Sequence, residues 1–147
     1  MIVQRMNESD LERFVEAQNL PYCNYEQALQ EIRDGRKRSH WVWYIFPQLR
    51  GLGYSFNANF YGIADRAEAA QYLQHPVLGT RLREITLALL QHRGTLAEDI
   101  LGSIDALKVC SCMTLFDAIS PNDIFADALA AFYGNKRCER TRERLQE

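Results

Sequence analysis

The sequence predicts an all-α fold, a compact multihelical single domain of short and medium helices covering residues 1–147. Helix-capping patterns recur at nearly every expected helix start, and Gly and Pro fall where helices should end or begin. Apolar residues keep helical spacing, and no hairpin signal appears. A chain of 147 residues is one ordinary domain. It can bury roughly 68–70% of the surface its unfolded form exposes, so it needs no metal or disulfide to fold.

The elements follow in order. Ser9-Asp10-Leu11-Glu12 reads as a capping box, after which Leu11, Phe14, Val15 and Gln18 share one helical face. Pro21 separates this from a second helix over Tyr25–Asp34, with Ala28, Leu29 and Ile32 inward and Gly35 as its left-handed end. Asp65-Arg66-Ala67-Glu68 opens a short helix to about Gln74. Pro76 occupies the first turn of the next, which runs to about Gln91 on Leu78, Leu82, Ile85 and Leu89 and closes at Gly94. Thr95-Leu96-Ala97-Glu98 caps a short helix ending at Gly102. Ser103 caps a longer one, with Ile104, Leu107, Cys110 or Ser111, and Leu115 or Phe116 on its inner face. Ser120-Pro121 starts a helix with Ile124, Phe125, Ala128, Leu129 and Phe132 inward, ended by Gly134. The tail from Lys136 is charged and partly helical. Trp41–Phe46 is apolar on both faces, so periodicity does not decide it. No second strand exists for it to pair with, so a short buried helix is predicted, with Ser39 as N-cap and Pro47 as terminator.

Hydrophobic residues make up 47% and charged residues 24%, which excludes a disordered chain, a collagen and a coiled-coil rod. The net charge of −2 argues against nucleic acid as the partner. No apolar run approaches the ~20 residues of a membrane span, so no membrane partner is expected. The start of the chain lacks the pattern of a signal peptide, which predicts a cytoplasmic protein with Cys23, Cys110, Cys112 and Cys138 as reduced thiols. The cysteine and histidine spacings do not match paired zinc ligands, so neither metal nor cofactor is predicted.

One segment stands apart. Between Arg33 and Arg50 there are five positive residues and one negative. Lys37 and Arg38 precede the expected helix N-terminus at Ser39, where free N–H groups and the positive dipole end attract anions. Arg50 precedes Gly51-Leu52-Gly53, a loop able to bring backbone N–H groups close to a ligand. Trp41, Trp43 and Tyr44 offer a stacking face. These are parts for holding a planar, phosphorylated small molecule, although tryptophans in an apolar run are more often core and basic clusters more often solvated. Of the histidines, His40 precedes Trp41, and His75 sits at a helix start. There His75 either serves as a general base or fixes the Gln74–Pro76 turn.

Five stretches together resemble one family: 11–18, 35–43, 46–53, 75–82 and 108–116. It is the bacterial domain-of-unknown-function family 1810, and the likeness covers nearly the whole chain. A calpastatin-like label sometimes attached to that family does not suit this globular composition. The resemblance implies a multihelical single domain and no established activity, substrate or cofactor. Its motif residues here include Gln18, Lys37, Ser39, His40, Trp43, Gln48, Arg50, Tyr61, His75, Arg81, Lys108, Ser111 and Thr114, more polar groups than a core alone needs.

The function expected is a binding or enzymatic domain for a small anionic metabolite, of nucleotide or ADP-ribose-like chemistry. Lys37, Arg50, Arg81 and Lys108 would hold the anion. Trp43 or Tyr61 would stack on a ring, Ser39 and Gln48 would complete the binding set, and His40 or His75 would serve as general acid or base. The alternative is a non-catalytic protein-interaction module using the Trp41–Tyr54 segment. Convergence of Lys37, His40, Arg50, His75 and Arg81 on one cleft is the structural expectation of the first reading.

Overall fold

The computed structural model describes residues 10–146. Among these residues the helices are α1 (Glu12–Gln18), α2 (Tyr25–Arg33), α3 (Val42–Ile45), α4 (Phe56–Phe60), α5 (Arg66–Gln74), α6 (Leu78–Leu90), α7 (Ala97–Leu101), α8 (Ser103–Ile119), α9 (Ile124–Tyr133) and α10 (Glu139–Gln146). No strand occurs among the described residues. One isolated parallel bridge joins Leu49 to Ile63, where the Arg50 N–H donates to the Ile63 carbonyl and the Ile63 N–H to that of Gln48, both at 2.8 Å.

Two helices organise the rest. Helix α6 packs against α2, α5 and α9, and α8 against α3, α5, α7, α9 and α10. Leu78, Leu82, Ile85 and Leu89 are all buried, as a 3.6-residue period requires of a helix with one face in the core. On α8 the buried residues are Ala106, Val109, Ser111, Cys112, Met113, Thr114, Leu115 and Phe116. The expected inward positions Ile104 and Leu107 are instead 69% and 71% exposed. They share a stripe that is apolar but meets no neighbouring helix. Helix α8 is apolar on most of its circumference, so spacing alone could not choose the buried side.

Local punctuation explains the boundaries. The side chain of Asn24 accepts from the Gln27 N–H, that of Ser55 from Ala58, and that of Asp65 from Glu68. Gly35 and Gly134 take positive φ at helix ends. Three starts move from their expected caps: α7 begins after Leu96 and α8 after Gly102, neither with a side-chain cap bond, and α9 begins after Asp123. Ser120 precedes that last start, its hydroxyl donating to Asp123 at 2.7 Å. The five-residue α4 was not foreseen, being too short for a periodic signal. The Ser9 cap of α1 lies outside the described residues. The Trp41–Phe46 block is helical at Val42–Ile45, but its N-cap is Trp41 without a side-chain bond. Ser39 is engaged elsewhere.

No helix among the described residues is long and apolar enough to cross a membrane. The four cysteines are free thiols. The described residues contain no group of three or more His, Cys, Asp or Glu side chains able to hold a metal ion.

Candidate functional site

The basic segment after α2 is built around an internal anion. Glu31, buried on α2, accepts on Oε1 from the N–H groups of Arg38 (2.7 Å) and Ser39 (3.0 Å) and from Trp41 Nε1 (3.0 Å). Its Oε2 accepts from the Ser39 hydroxyl (2.7 Å) and from Gln27 Nε2 (3.1 Å). Burial alone would raise its pKa, but the bonds from Arg38, Ser39, Trp41 and Gln27 outweigh that and lower it to about 2. The anion-binding N–H groups expected at Ser39 therefore exist, and the chain's own carboxylate fills them.

Lys37 is committed too. Its ammonium pairs with Asp105 at 2.8 Å, donates to the Ser39 carbonyl and lies 4.8 Å from the Trp41 ring centroid. Trp41 is fully buried. These contacts tie the 37–41 segment to α2 and α8.

Arg81 bridges elements. It donates to Gln18 Oε1 (3.1 Å) and Asn19 Oδ1 (3.2 Å) beyond α1, and its guanidinium lies 5.0 Å from the Tyr25 ring centroid. His75 Nδ1 accepts from the N–H groups of Val77 (3.1 Å) and Leu78 (3.2 Å). That makes Nδ1 the unprotonated ring nitrogen and gives α6 the start for which Val77 offers no side chain. His40 is exposed.

Four of the expected site residues do come together. Trp43, Gln48, Tyr61 and Lys108 line one recess with Val42, Phe46, Asn57, Ala58 and Gly62. Its interior volume is about 10 Å³, room for one water-sized group. Trp43 follows the buried Val42 on α3, Lys108 projects from α8, and Tyr61 packs against Tyr44 at 5.1 Å and Phe60 at 4.8 Å. Gly62 permits a close approach of two segments, since a Cβ there would meet the Arg50 Cα at 2.6 Å.

Two features give the recess chemistry. The Trp43 Nε1 is buried and has no hydrogen-bond partner among the described residues, a state that costs free energy unless an acceptor reaches it. The Lys108 ammonium lies 5.2 Å from the Trp43 ring centroid and only 3.7 Å from Asp105, which is closer to Lys37. Its charge is thus incompletely neutralised at the edge of an aromatic wall. Gln48 and Asn57 add amide groups, and burial raises the Tyr61 phenol above its ordinary pKa.

Neither of the two described clefts gathers Lys37, His40, Arg50, His75 and Arg81. None of the five lines this recess, and Arg50 alone lines a second, wider groove with Leu49, Ala64, Asp65, Arg66, Ala67, Arg144 and Leu145. The physical reason is that Lys37, His75 and Arg81 each find a partner within the fold. The lining residues not foreseen, Asn57 and Ala58 on α4 and Gly62 after it, carry no spacing signal; only the Ser55 cap marks that turn. Ser111 and Thr114, the remaining polar motif residues, dock the C-terminal segment. The Ser111 hydroxyl donates to Cys138 Sγ at 3.2 Å, and the Cys138 N–H donates to Thr114 Oγ1 at 2.9 Å.

Comparison with known proteins agrees with this arrangement of helices. A solved structure, the conserved hypothetical protein Rv1873 from Mycobacterium tuberculosis, is 47% identical in sequence, with a TM-score of 0.90 over 95% of this chain and 98% of that one. No curated protein matches. The family model described as "Protein of unknown function (DUF1810)" matches residues 8–145, nearly the full length, and the chain belongs to that family.

Proposed function

We propose that the protein binds a small anionic, ring-bearing metabolite at the Trp43–Lys108 recess, of nucleotide or ADP-ribose-like chemistry. The observation that carries this reading is the buried, partnerless Trp43 N–H in a pocket edged by the Lys108 ammonium. A heteroaromatic ring supplies the acceptor that the indole lacks, with the amides of Gln48 and Asn57 beside it. A phosphate supplies the counter-charge for Lys108. The recess is far smaller than the ~300–1,000 Å³ usual for ligand pockets, so only an acceptor atom at the edge of the ring reaches the indole N–H, and the rest of the ligand lies across the mouth. His40 and His75 line no part of it, and the reading needs no chemical step from them.

The test is a titration with AMP, ADP and ADP-ribose, followed by tryptophan fluorescence and thermal shift. Saturation at 100 times the dissociation constant raises stability by about 2.7 kcal/mol. Trp43→Phe, which keeps a ring and loses the N–H, and Lys108→Ala should each weaken binding roughly tenfold or more. Equal affinity in the native protein and both variants removes the recess as the site.

A second reading, the protein-interaction module, is favoured by exposed aromatics. Tyr54 is 89% and Phe56 76% exposed, and Phe56 stacks on Phe60 at 5.5 Å. The rest of the Trp41–Tyr54 segment contributes Trp41, Tyr44, Ile45, Phe46, Leu49 and Leu52 to the core, so such a surface would centre on α4. Phe56→Ser abolishing a protein complex while leaving nucleotide affinity intact would support this reading over the first.

A further inference from the structure

On the other side of the Leu49–Ile63 bridge lies the groove lined by Arg50, Arg66 and Arg144. It shares no lining residue with the Trp43–Lys108 recess and has a volume of about 500 Å³. Three guanidiniums here face a single carboxylate, Asp65, in a chain whose net charge is −2. Asp65 is already in use, its Oδ1 accepting from the Glu68 N–H at 2.9 Å to cap α5.

Two of the three arginines are held in position by something other than an acid. Arg50 donates from Nε to the Asn59 carbonyl at 3.2 Å and from Nη2 to the Gly62 carbonyl at 3.1 Å. Those bonds orient the group and leave its charge unneutralised. Arg144 sits where a side chain at position 51 would be, since a Cβ on Gly51 would meet its Nη2 at 2.5 Å. Gly51 has φ +97°, a conformation that keeps the position glycine at little cost. Arg66 and Arg144 make no ion pair or side-chain hydrogen bond among the described residues. Guanidiniums gathered with so little counter-charge repel one another, and a multivalent oxyanion relieves that repulsion while accepting paired N–H bonds.

We infer that this groove is a second binding site, one that takes a soluble ligand bearing a diphosphate or similar multivalent phosphate through Arg50, Arg66 and Arg144. The inference does not depend on the Trp43–Lys108 reading.

The test uses the full chain and inorganic pyrophosphate in titration calorimetry at low ionic strength. The expected result is saturable binding that weakens with added salt. Arg66→Ser and Arg144→Ser should each reduce affinity roughly tenfold or more, the loss of a charge-assisted contact. Neither should move the melting temperature, because neither side chain has a partner to lose. Lys108→Ala should leave pyrophosphate affinity unchanged. Absence of binding at millimolar pyrophosphate overturns the inference, as does unaltered affinity in the Arg66→Ser/Arg144→Ser double variant. Loss of binding in Lys108→Ala instead assigns the anion to the recess. Binding to vesicles of phosphatidylglycerol without binding to pyrophosphate overturns the soluble ligand in favour of a lipid headgroup.

Discussion

Glu31 draws five hydrogen-bond donors onto one buried carboxylate, and this gives the protein a measurable response to acid. Its folded pKa of about 2 lies below the ordinary 4.5. The ionised form is therefore what the fold stabilises. That contribution, about 3 kcal/mol, is fully present above pH 4.5 and is lost as pH falls toward 2. Asp123 behaves alike: burial opposes its ionisation, but bonds from Arg83, Ser120 and the Ile124 N–H hold it to about 2. Chemical denaturation of the native protein should show stability falling steeply between pH 4.5 and 2. Glu31→Gln should lose about 2–3 kcal/mol at pH 7 and show a shallower acid limb, with the Asp123 share remaining. An acid limb unchanged in Glu31→Gln would mean that Glu31 is protonated, or equally stabilised, in both states.

At the level of the element, the start of α6 depends on a ring rather than on a hydroxyl or carboxylate. His75 Nδ1 takes the N–H groups of Val77 and Leu78, two of the donors a helix N-terminus leaves unpaired. His75→Ala should cost about 1 kcal/mol, and His75→Asn, which restores an acceptor at the same place, should recover most of it. Urea denaturation of both variants measures the difference. Neither substitution should change nucleotide affinity at the recess. A variant that loses ligand affinity with stability intact would return His75 to the binding machinery.

Across the whole molecule, helix α1 is joined to the middle of the chain by a buried ion pair. Arg13 meets Glu68 at 3.0 Å with both side chains nearly inaccessible. It also donates to the carbonyls of Phe60 (2.7 Å), Gly62 (2.9 Å) and Asp10. One guanidinium thereby fastens α1 to α5 and to the Phe60–Gly62 turn, which walls the recess. Arg13→Ala takes the guanidinium from the nearly inaccessible Glu68 carboxylate and from the Phe60 carbonyl, while Glu68 keeps the Ala64 N–H and Gly62 keeps Arg50, and should cost about 3 kcal/mol. Thermal unfolding measures that loss. Because the turn carries Tyr61 and Gly62, the variant's affinity for nucleotide, measured below its melting temperature, should fall as well.

The sequence by itself determined most of the helices, the five-residue α4 and the exact starts of α7, α8 and α9 excepted, because helix starts, ends and faces are set largely by residues three or four positions apart. The burial of Leu78, Leu82, Ile85 and Leu89, the Asp65 cap and the turns at Gly35 and Gly134 were legible for that reason. Trp43, Gln48, Tyr61 and Lys108 stood among the motif residues of the family resemblance, but their meeting at one recess was not legible there. Only the tertiary structure decided which face of α8 is inward, since an apolar helix offers several and its neighbours choose. It also decided the fate of the basic segment. The same donors near Ser39 would serve a ligand or a carboxylate of the chain, and folding brings Glu31 to them first. Lys37 and Arg81 are committed for the same reason: a charge takes the partner that packing brings within hydrogen-bond reach, and no local spacing records which partner that is. His75 differs, since its partners are the N–H groups two and three residues on, the turn-fixing role its position at a helix start had offered.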